Sequence, residues 1–247
     1  MMIEGTHFLA GQDIADVAWK LVAVNLSDLA AKGAEPLGVL LGYALGGDDA
    51  RFAEGLAEAC AAFGVPLLGG DTVRGMGPRS FGLTALGRAS HAPVPDRRGA
   101  RAGDAIYVTG ALGAAMLGFE ALRDGTGADS LAYRRPRPLL AEGRALAPVV
   151  SAMMDVSDGL LLDCWRMARA SQVTFRLHGT AIPVAATARR AECLRWGDDY
   201  QLLFTAPADR PLPIAAARIG SVEARGRAPL CLDGDWLNDP DRLGYQH

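Results

Sequence analysis

Met153-Met154-Asp155-Val156-Ser157-Asp158-Gly159-Leu160-Leu161-Leu162 joins an apolar run to the start of a helix through a turn rich in acid and hydroxyl groups. Beyond the turn, Leu161, Leu162, Trp165 and Ala168 recur at the spacing that places apolar side chains on one helical face. Asp158 stands where that helix begins, and taken alone it reads more readily as a cap than as a ligand. Capping gives no reason for a second acid upstream, at Asp155.

Outward from this turn the same alternation recurs in both directions. Residues 16–31 carry Val17, Leu21, Val24 and Leu29 at helical spacing and stop at Lys32-Gly33. Residues 36–45 read as a strand, Asp48 or Asp49 caps a helix through Phe52, Leu56, Ala59 and Phe63, and Gly64 ends it. A short apolar strand, 65–68, then leads into Gly69-Gly70-Asp71-Thr72. After a strand at 80–87, the polar, Pro-containing stretch 90–99 lacks periodicity and marks a domain boundary. A second alternation follows: strand 105–109, helix 111–122, a connection at 134–138, helix 139–147, a late strand at 200–205 and shorter strands within 214–232. The expected architecture is an α/β amino-terminal domain, 1–90, and an α+β carboxy-terminal domain, 91–247.

Composition narrows the function classes. The chain has 247 residues, half of them apolar, and a formal charge of -3 with no long basic run, which favours neither nucleic acid nor an anionic membrane surface as partner. Its four cysteines are far apart, with no Cys-x-x-Cys pair, so they read as core thiols and not as a zinc site or disulfide framework. No apolar run approaches the roughly 20 residues needed to span a bilayer, and the first residues lack signal-peptide character. The expected location is the cytoplasm.

Acids gather at turns beside small or hydroxyl residues in four places: Asn25-Leu26-Ser27-Asp28, Gly69-Gly70-Asp71-Thr72, Asp155-Val156-Ser157-Asp158-Gly159 and Gly197-Asp198-Asp199-Tyr200. Two unpaired carboxylates about 4 Å apart repel by roughly 4 kcal/mol at an effective dielectric of about 20, so a shared cation accounts for the set better than separate caps do. Magnesium suits it, because this hard ion takes a few carboxylate oxygens together with substrate phosphates. Gly69, Gly70 and Gly110 would let backbone N–H groups approach phosphate oxygens. The chain has neither a Gly-x-x-x-x-Gly-Lys-Ser/Thr loop nor the His-Arg-Asp and Asp-Phe-Gly signatures, so a phosphotransferase here needs another scaffold.

In order, Glu4-Gly5-Thr6-His7-Phe8, Asn25-Leu26-Ser27-Asp28-Leu29-Ala30-Ala31-Lys32-Gly33-Ala34, Gly69-Gly70-Asp71-Thr72-Val73-Arg74-Gly75, the Asp155–Gly159 turn and Gly197-Asp198-Asp199-Tyr200-Gln201-Leu202-Leu203-Phe204 span nearly the whole chain. This ordered set resembles the thiamine-monophosphate kinase family, within the aminoimidazole ribonucleotide synthetase-like ATP-binding superfamily. The resemblance implies a two-domain fold whose amino-terminal mixed sheet pairs across a homodimer. It also implies transfer of the γ-phosphoryl group of ATP to thiamine monophosphate with several Mg2+ ions. By the same resemblance, Asp28, Asp71, Asp155 and Asp158 hold metal, Gly70, Asp71, Arg97 and Ser157 contact ATP, and His7, Asp198 and Tyr245 face the thiamine phosphate. No general base is assigned, because the acceptor phosphate is already anionic.

Several positions depart from the family pattern: Asp198 stands for Glu, Lys32 for Met, Ala53 for an aromatic and Ala114 for a polar residue. The family also carries a metal-binding aspartate immediately before the position of Met1, so the resemblance implies a polypeptide extending upstream. Two rivals share the acidic turns: another ATP-dependent enzyme of the superfamily, and a non-catalytic nucleotide-binding homologue. Assays with thiamine monophosphate against aminoimidazole-pathway and selenide substrates separate the first, and ATP binding without turnover marks the second.

Overall fold

A computed structural model describes residues 1–75 and 77–246. In chain order the elements are β1 (Met2–Ile3), α1 (Ile14–Ala30), β2 (Ala34–Ala44), α2 (Asp49–Phe63), β3 (Leu67–Val73), β4 (Ser80–Ala89), β5 (Asp104–Val108), α3 (Ala114–Arg123), α4 (Leu131–Arg134), α5 (Leu140–Leu146), β6 (Ala152–Asp155), α6 (Leu160–Ser171), β7 (Val173–Leu177), α7 (Arg190–Trp196), β8 (Leu202–Pro207), β9 (Ala217–Ala224), β10 (Leu230–Leu232) and β11 (Asp235–Leu237). Among the described residues the strands form two sheets, ordered β1-β4-β2-β3 and β11-β10-β7-β9-β5-β8-β6. Both are mixed: β2 runs parallel to β3 and antiparallel to β4, and β7 runs parallel to β10 and antiparallel to β9.

α1 is the element that both sheets share. Val17, Ala18, Leu21, Val22 and Leu26 are fully buried in the core under the smaller sheet, with Phe52 and Leu56 of α2 and Val39, Tyr43, Phe81 and Leu83 of the strands. Its last turn belongs elsewhere: Ala30 and Ala31 pack with Tyr107, Met153, Leu202 and Phe204 on the larger sheet. α6 covers that sheet's opposite face through Leu160, Leu161, Cys164, Met167 and Ala168, against Phe175, Leu203, Ile219 and Val222. Burial of each large apolar side chain contributes about 1.5–3 kcal/mol, so a helix buried on both sides couples the two sheets strongly. Asp13 caps α1, its side chain accepting from the Ala15 N–H at 3.0 Å.

A buried Asp16 on α1 ties down the Arg134-Arg135-Pro136 segment, pairing with both arginines, while Arg135 also reaches Glu58 at 2.7 Å. The Trp19 indole N–H donates to the Pro136 carbonyl at 3.1 Å. This pinning places Tyr133 against α1, where it enters the cavity described below.

Several expectations need correction. Gly69, Gly70 and Asp71 belong to the interior of β3 and not to a turn, because β2 offers a parallel hydrogen-bonding partner from Val39 to Ala44. The strand expected at 36–45 is internal to its sheet, flanked by β3 and β4; β1 and β3 are the edges. Asp158 does not cap α6, whose N-cap position is Gly159, without a side-chain cap bond. Neither does Asp48 cap α2 through its side chain; Asp49 instead accepts from Gly46 N–H and the Tyr43 hydroxyl. β7 and β11 are strands that the sequence pattern does not signal, being only five and three residues long.

Close approach of α1 and α2 depends on Gly55, where a Cβ would lie 2.2 Å from the Ala15 carbonyl oxygen. Gly55→Ala is therefore expected to destabilise the protein by about 1–3 kcal/mol through overpacking, read as a lower urea midpoint with unchanged slope.

Candidate functional site

Three loops meet where α1 passes the end of the larger sheet. The turn after β6 presents Val156, Ser157 and Asp158, and the loop after α7 lies along it: Asp198 N–H donates to the Ser157 carbonyl at 2.8 Å and Tyr200 N–H to Val156 at 2.9 Å. Tyr245 N–H adds a third link, to the Asp158 carbonyl at 2.9 Å. Gly197 is required at the crossing, since its φ is +94° and a Cβ would sit 2.4 Å from the Ser157 oxygen. Asp198 and Tyr200 themselves hold left-handed backbone at φ 57° and 51°. Non-glycine residues rarely keep such conformations unless their surroundings impose them, and they concentrate at functional sites.

These loops enclose a cavity of about 460 Å³ with two chemically different walls. Asp28, Asp155, Ser157 and Asp158 supply its carboxylate and hydroxyl wall; the aromatic wall is taken as Phe119, which packs on both Tyr133 and Trp196, together with Tyr245. His7, Lys20 and Asp198 lie within the same cavity.

The carboxylate wall is electrostatically loaded. Burial, and then the nearby Asp28 charge, push the Asp155 carboxyl up to about 6, although the Ser27 hydroxyl donates to it at 2.6 Å. Asp28 opens to solvent on the cavity side, yet the protein packed around it also raises its carboxyl above the usual range. Behind the wall, buried Asp163 accepts from Ser157 N–H at 3.0 Å and Asp158 N–H at 3.1 Å, which shapes the turn. Burial pushes Asp163 up to about 7. Arg166 bridges Asp163 and Asp158, leaving Asp158 as the charge-compensated member of the wall.

Seven of the residues expected from sequence thus converge: His7, Asp28, Asp155, Ser157, Asp158, Asp198 and Tyr245. The His7 ring accepts from Ile3 N–H through Nδ1 at 3.1 Å, which leaves the ring proton on Nε2. Gly70, Asp71 and Arg97 lie outside the cavity lining. Asp71 is exposed on β3, and its own Oδ1 accepts from Thr72 N–H. A Cβ at Gly70 would meet the Leu41 carbonyl at 2.0 Å, so strand pairing already explains that glycine. Arg97 is exposed, with its backbone carbonyl accepting from the Ser171 hydroxyl. Sequence reasoning missed Lys20 and, Tyr245 apart, the aromatic wall; the signal for Lys20 was a lysine set among the apolar positions of α1.

Asp199 points away from the cavity. Both its oxygens lie 2.9 Å from Gly113 N–H at the start of α3. Burial pushes it up to about 7. Because the folded chain holds this proton more tightly than an unfolded aspartate does, the stability from this group is present at low pH and is lost as pH rises from about 4 through the folded value. Melting temperatures at pH 5 and pH 8 should accordingly differ less in Asp199→Asn than in the unmodified chain.

No helix among the described residues is long and apolar enough to cross a membrane. Comparison with known proteins places these features in context. The chain matches AIR synthase related protein, N-terminal domain, over residues 1–89, and AIR synthase related protein, C-terminal domain, over residues 101–228. It is 36% identical to the thiamine-monophosphate kinase of Caulobacter vibrioides over all of this chain and 78% of that relative. Among solved structures, thiamine monophosphate kinase from Aquifex aeolicus superposes with a TM-score of 0.86 at 28% identity, covering 96% of this chain and 87% of that one. AaThiL complexed with AMPPCP and TMP gives 0.83 at 29% identity, with 96% and 83% coverage.

Proposed function

Because this chain belongs to the thiamine-monophosphate kinase family, we propose that its two-walled cavity transfers the γ-phosphoryl group of ATP to thiamine monophosphate, giving thiamine diphosphate and ADP. The observation that carries this reading is the pairing, in one cavity, of a carboxylate wall suited to phosphates through a cation with an aromatic wall suited to a heterocycle. Transfer breaks the bond from the γ-phosphorus to the ADP oxygen and forms one to an acceptor phosphate oxygen. That oxygen is already an anion, so no side chain need remove a proton from it.

Magnesium is the cation the wall fits. Asp155 is buried beside another carboxylate and its proton affinity is raised, as expected of oxygen donors that lack a compensating cation. Mg2+ needs no closed cage of side chains, being commonly held by one or two carboxylates together with phosphate and water. Asp28 and Asp155 are the proposed ligands in the cavity, with Asp158 beside them and Asp71 on the exposed strand. When bound, the ion would neutralise phosphate charge that builds up along the transfer. Ser157 offers a hydroxyl at the same wall, and we assign Gly70, Asp71 and Arg97 to the nucleotide from outside the cavity. His7, Asp198 and Tyr245 face the acceptor. The four free thiols support a reducing, cytoplasmic setting.

A homodimer is part of the proposal. β3 is an edge strand exposed along its length, and Leu40, Leu67, Leu68 and Leu86 remain 39–53% exposed on or beside the small sheet. An apolar patch on an unpaired sheet edge is a natural contact for a second copy. Leu40→Lys should convert a dimer into a monomer in sedimentation velocity, whereas a monomeric unmodified chain at micromolar concentration would remove this part of the proposal.

Asp155→Asn and Asp71→Asn are each expected to lower magnesium-dependent formation of thiamine diphosphate by at least about a hundredfold while circular dichroism stays unchanged, since each deletes charge with little change of volume. Unimpaired turnover in a folded variant would remove that residue from the phosphate site.

A further inference from the structure

Lys20 is the largest fully buried side chain outside the apolar set, at 2% exposure, and it reaches the floor of the cavity from α1. Its Nζ lies 2.7 Å from Asp198 Oδ2 and 3.8 Å from the centre of the Tyr133 ring, with the His7 carbonyl at 3.5 Å. The other Asp198 oxygen accepts from the Tyr200 hydroxyl at 2.9 Å. Tyr133 closes the ring of contacts by donating to the same His7 carbonyl at 3.3 Å.

An ammonium taken out of water is costly unless it is paired. Here the pair is lopsided: the Lys20 side chain is 2% exposed, whereas that of Asp198 is 31% exposed on the cavity side. The cation therefore serves the anion. Each carboxylate oxygen has one fixed donor, and its remaining lone pairs have only a narrow range of directions left. The left-handed backbone at Asp198 restricts the group further.

We propose that Lys20 is a positioning residue for the acceptor: it holds the Asp198 carboxylate facing the aromatic wall, where the group receives the cationic, amine-bearing heterocycle of the phosphate monoester. The inference rests on the phosphotransfer reading above and adds a residue to it. Lys20 acts through Asp198, and the His7 carbonyl and the Tyr133 ring keep it from reorienting. A lysine that merely filled space would leave acceptor affinity to vary with overall stability; a positioning lysine ties it to Asp198.

Three variants separate these cases: Lys20→Met, Asp198→Asn and the double substitution. Calorimetry with thiamine monophosphate alone gives acceptor affinity, steady-state kinetics gives the KM for each substrate, and thermal melting reports the fold. Lys20→Met should weaken acceptor binding about tenfold, which corresponds to about 1.4 kcal/mol, while the KM for ATP moves less than about twofold. The double variant should bind the acceptor within about threefold of Asp198→Asn, because a residue acting only through Asp198 has nothing left to position. Lys20→Arg should recover part of the lost affinity by restoring the charge.

Undiminished acceptor binding in folded Lys20→Met would overturn the proposal, as would a double variant weaker than Asp198→Asn by the full Lys20→Met factor. If Lys20→Met fails to fold, the double variant, which removes both charges together, supplies the decisive comparison with Asp198→Asn. Failure of the parent reading looks different: the unmodified chain would then bind no thiamine monophosphate at all.

Discussion

Three backbone hydrogen bonds, from Asp198 to Ser157, from Tyr200 to Val156 and from Tyr245 to Asp158, hold the site together. They join loops that are about 40 and 90 residues apart in sequence into a single layer, and every side chain proposed for catalysis on the larger sheet projects from that layer. Buried backbone groups left unpaired are costly, so the three links resist separation once α6 and α7 are packed beneath them. Their geometry in turn demands Gly197 at the crossing. A carboxylate wall could not be kept this rigid by side-chain contacts alone, because its own charges push it apart.

That repulsion is managed by unequal compensation. Asp158 has Arg166, and Asp198 has Lys20 and Tyr200, whereas Asp155 is met by the Ser27 hydroxyl and a backbone N–H and lies beside the Asp28 charge. The charge left uncompensated is concentrated where a cation and phosphates are proposed to bind, and there burial and then the Asp28 charge raise the proton affinity of Asp155. Stability is given up there, as it is at buried Asp163 and Asp199, and the apolar burial of α1 between two sheets offsets the loss.

How much of this the sequence disclosed depended on how local each signal was. The α1 helix, the α6 helix and the acidic turn between β6 and α6 were legible because helical periodicity and a glycine-bounded turn are written within a few consecutive residues. Gly69-Gly70-Asp71 was misread as a turn, since two glycines locally resemble one; the parallel partner that makes them a strand lies almost thirty residues earlier, at Leu40 to Gly42. Likewise Asp158 had the position of a cap but finds Arg166 about two turns further along α6, a preference set by the charged wall and not by the helix end.

Lys20 and, Tyr245 apart, the aromatic wall were illegible for a related reason. Tyr133 reaches Lys20 only because Asp16 and Trp19 pin the Arg134-Arg135-Pro136 segment onto α1, and no spacing rule links residues more than a hundred positions apart. What the sequence did hold was an inconsistency, a lysine among the apolar positions of a helix that is otherwise buried. Such local violations persist where a partner elsewhere in the fold makes them tolerable, and the partner here is the carboxylate of Asp198. The helix that couples the two sheets therefore also supplies the charge that orients the acceptor side of the cavity, so packing and recognition at this site depend on the same turn of α1.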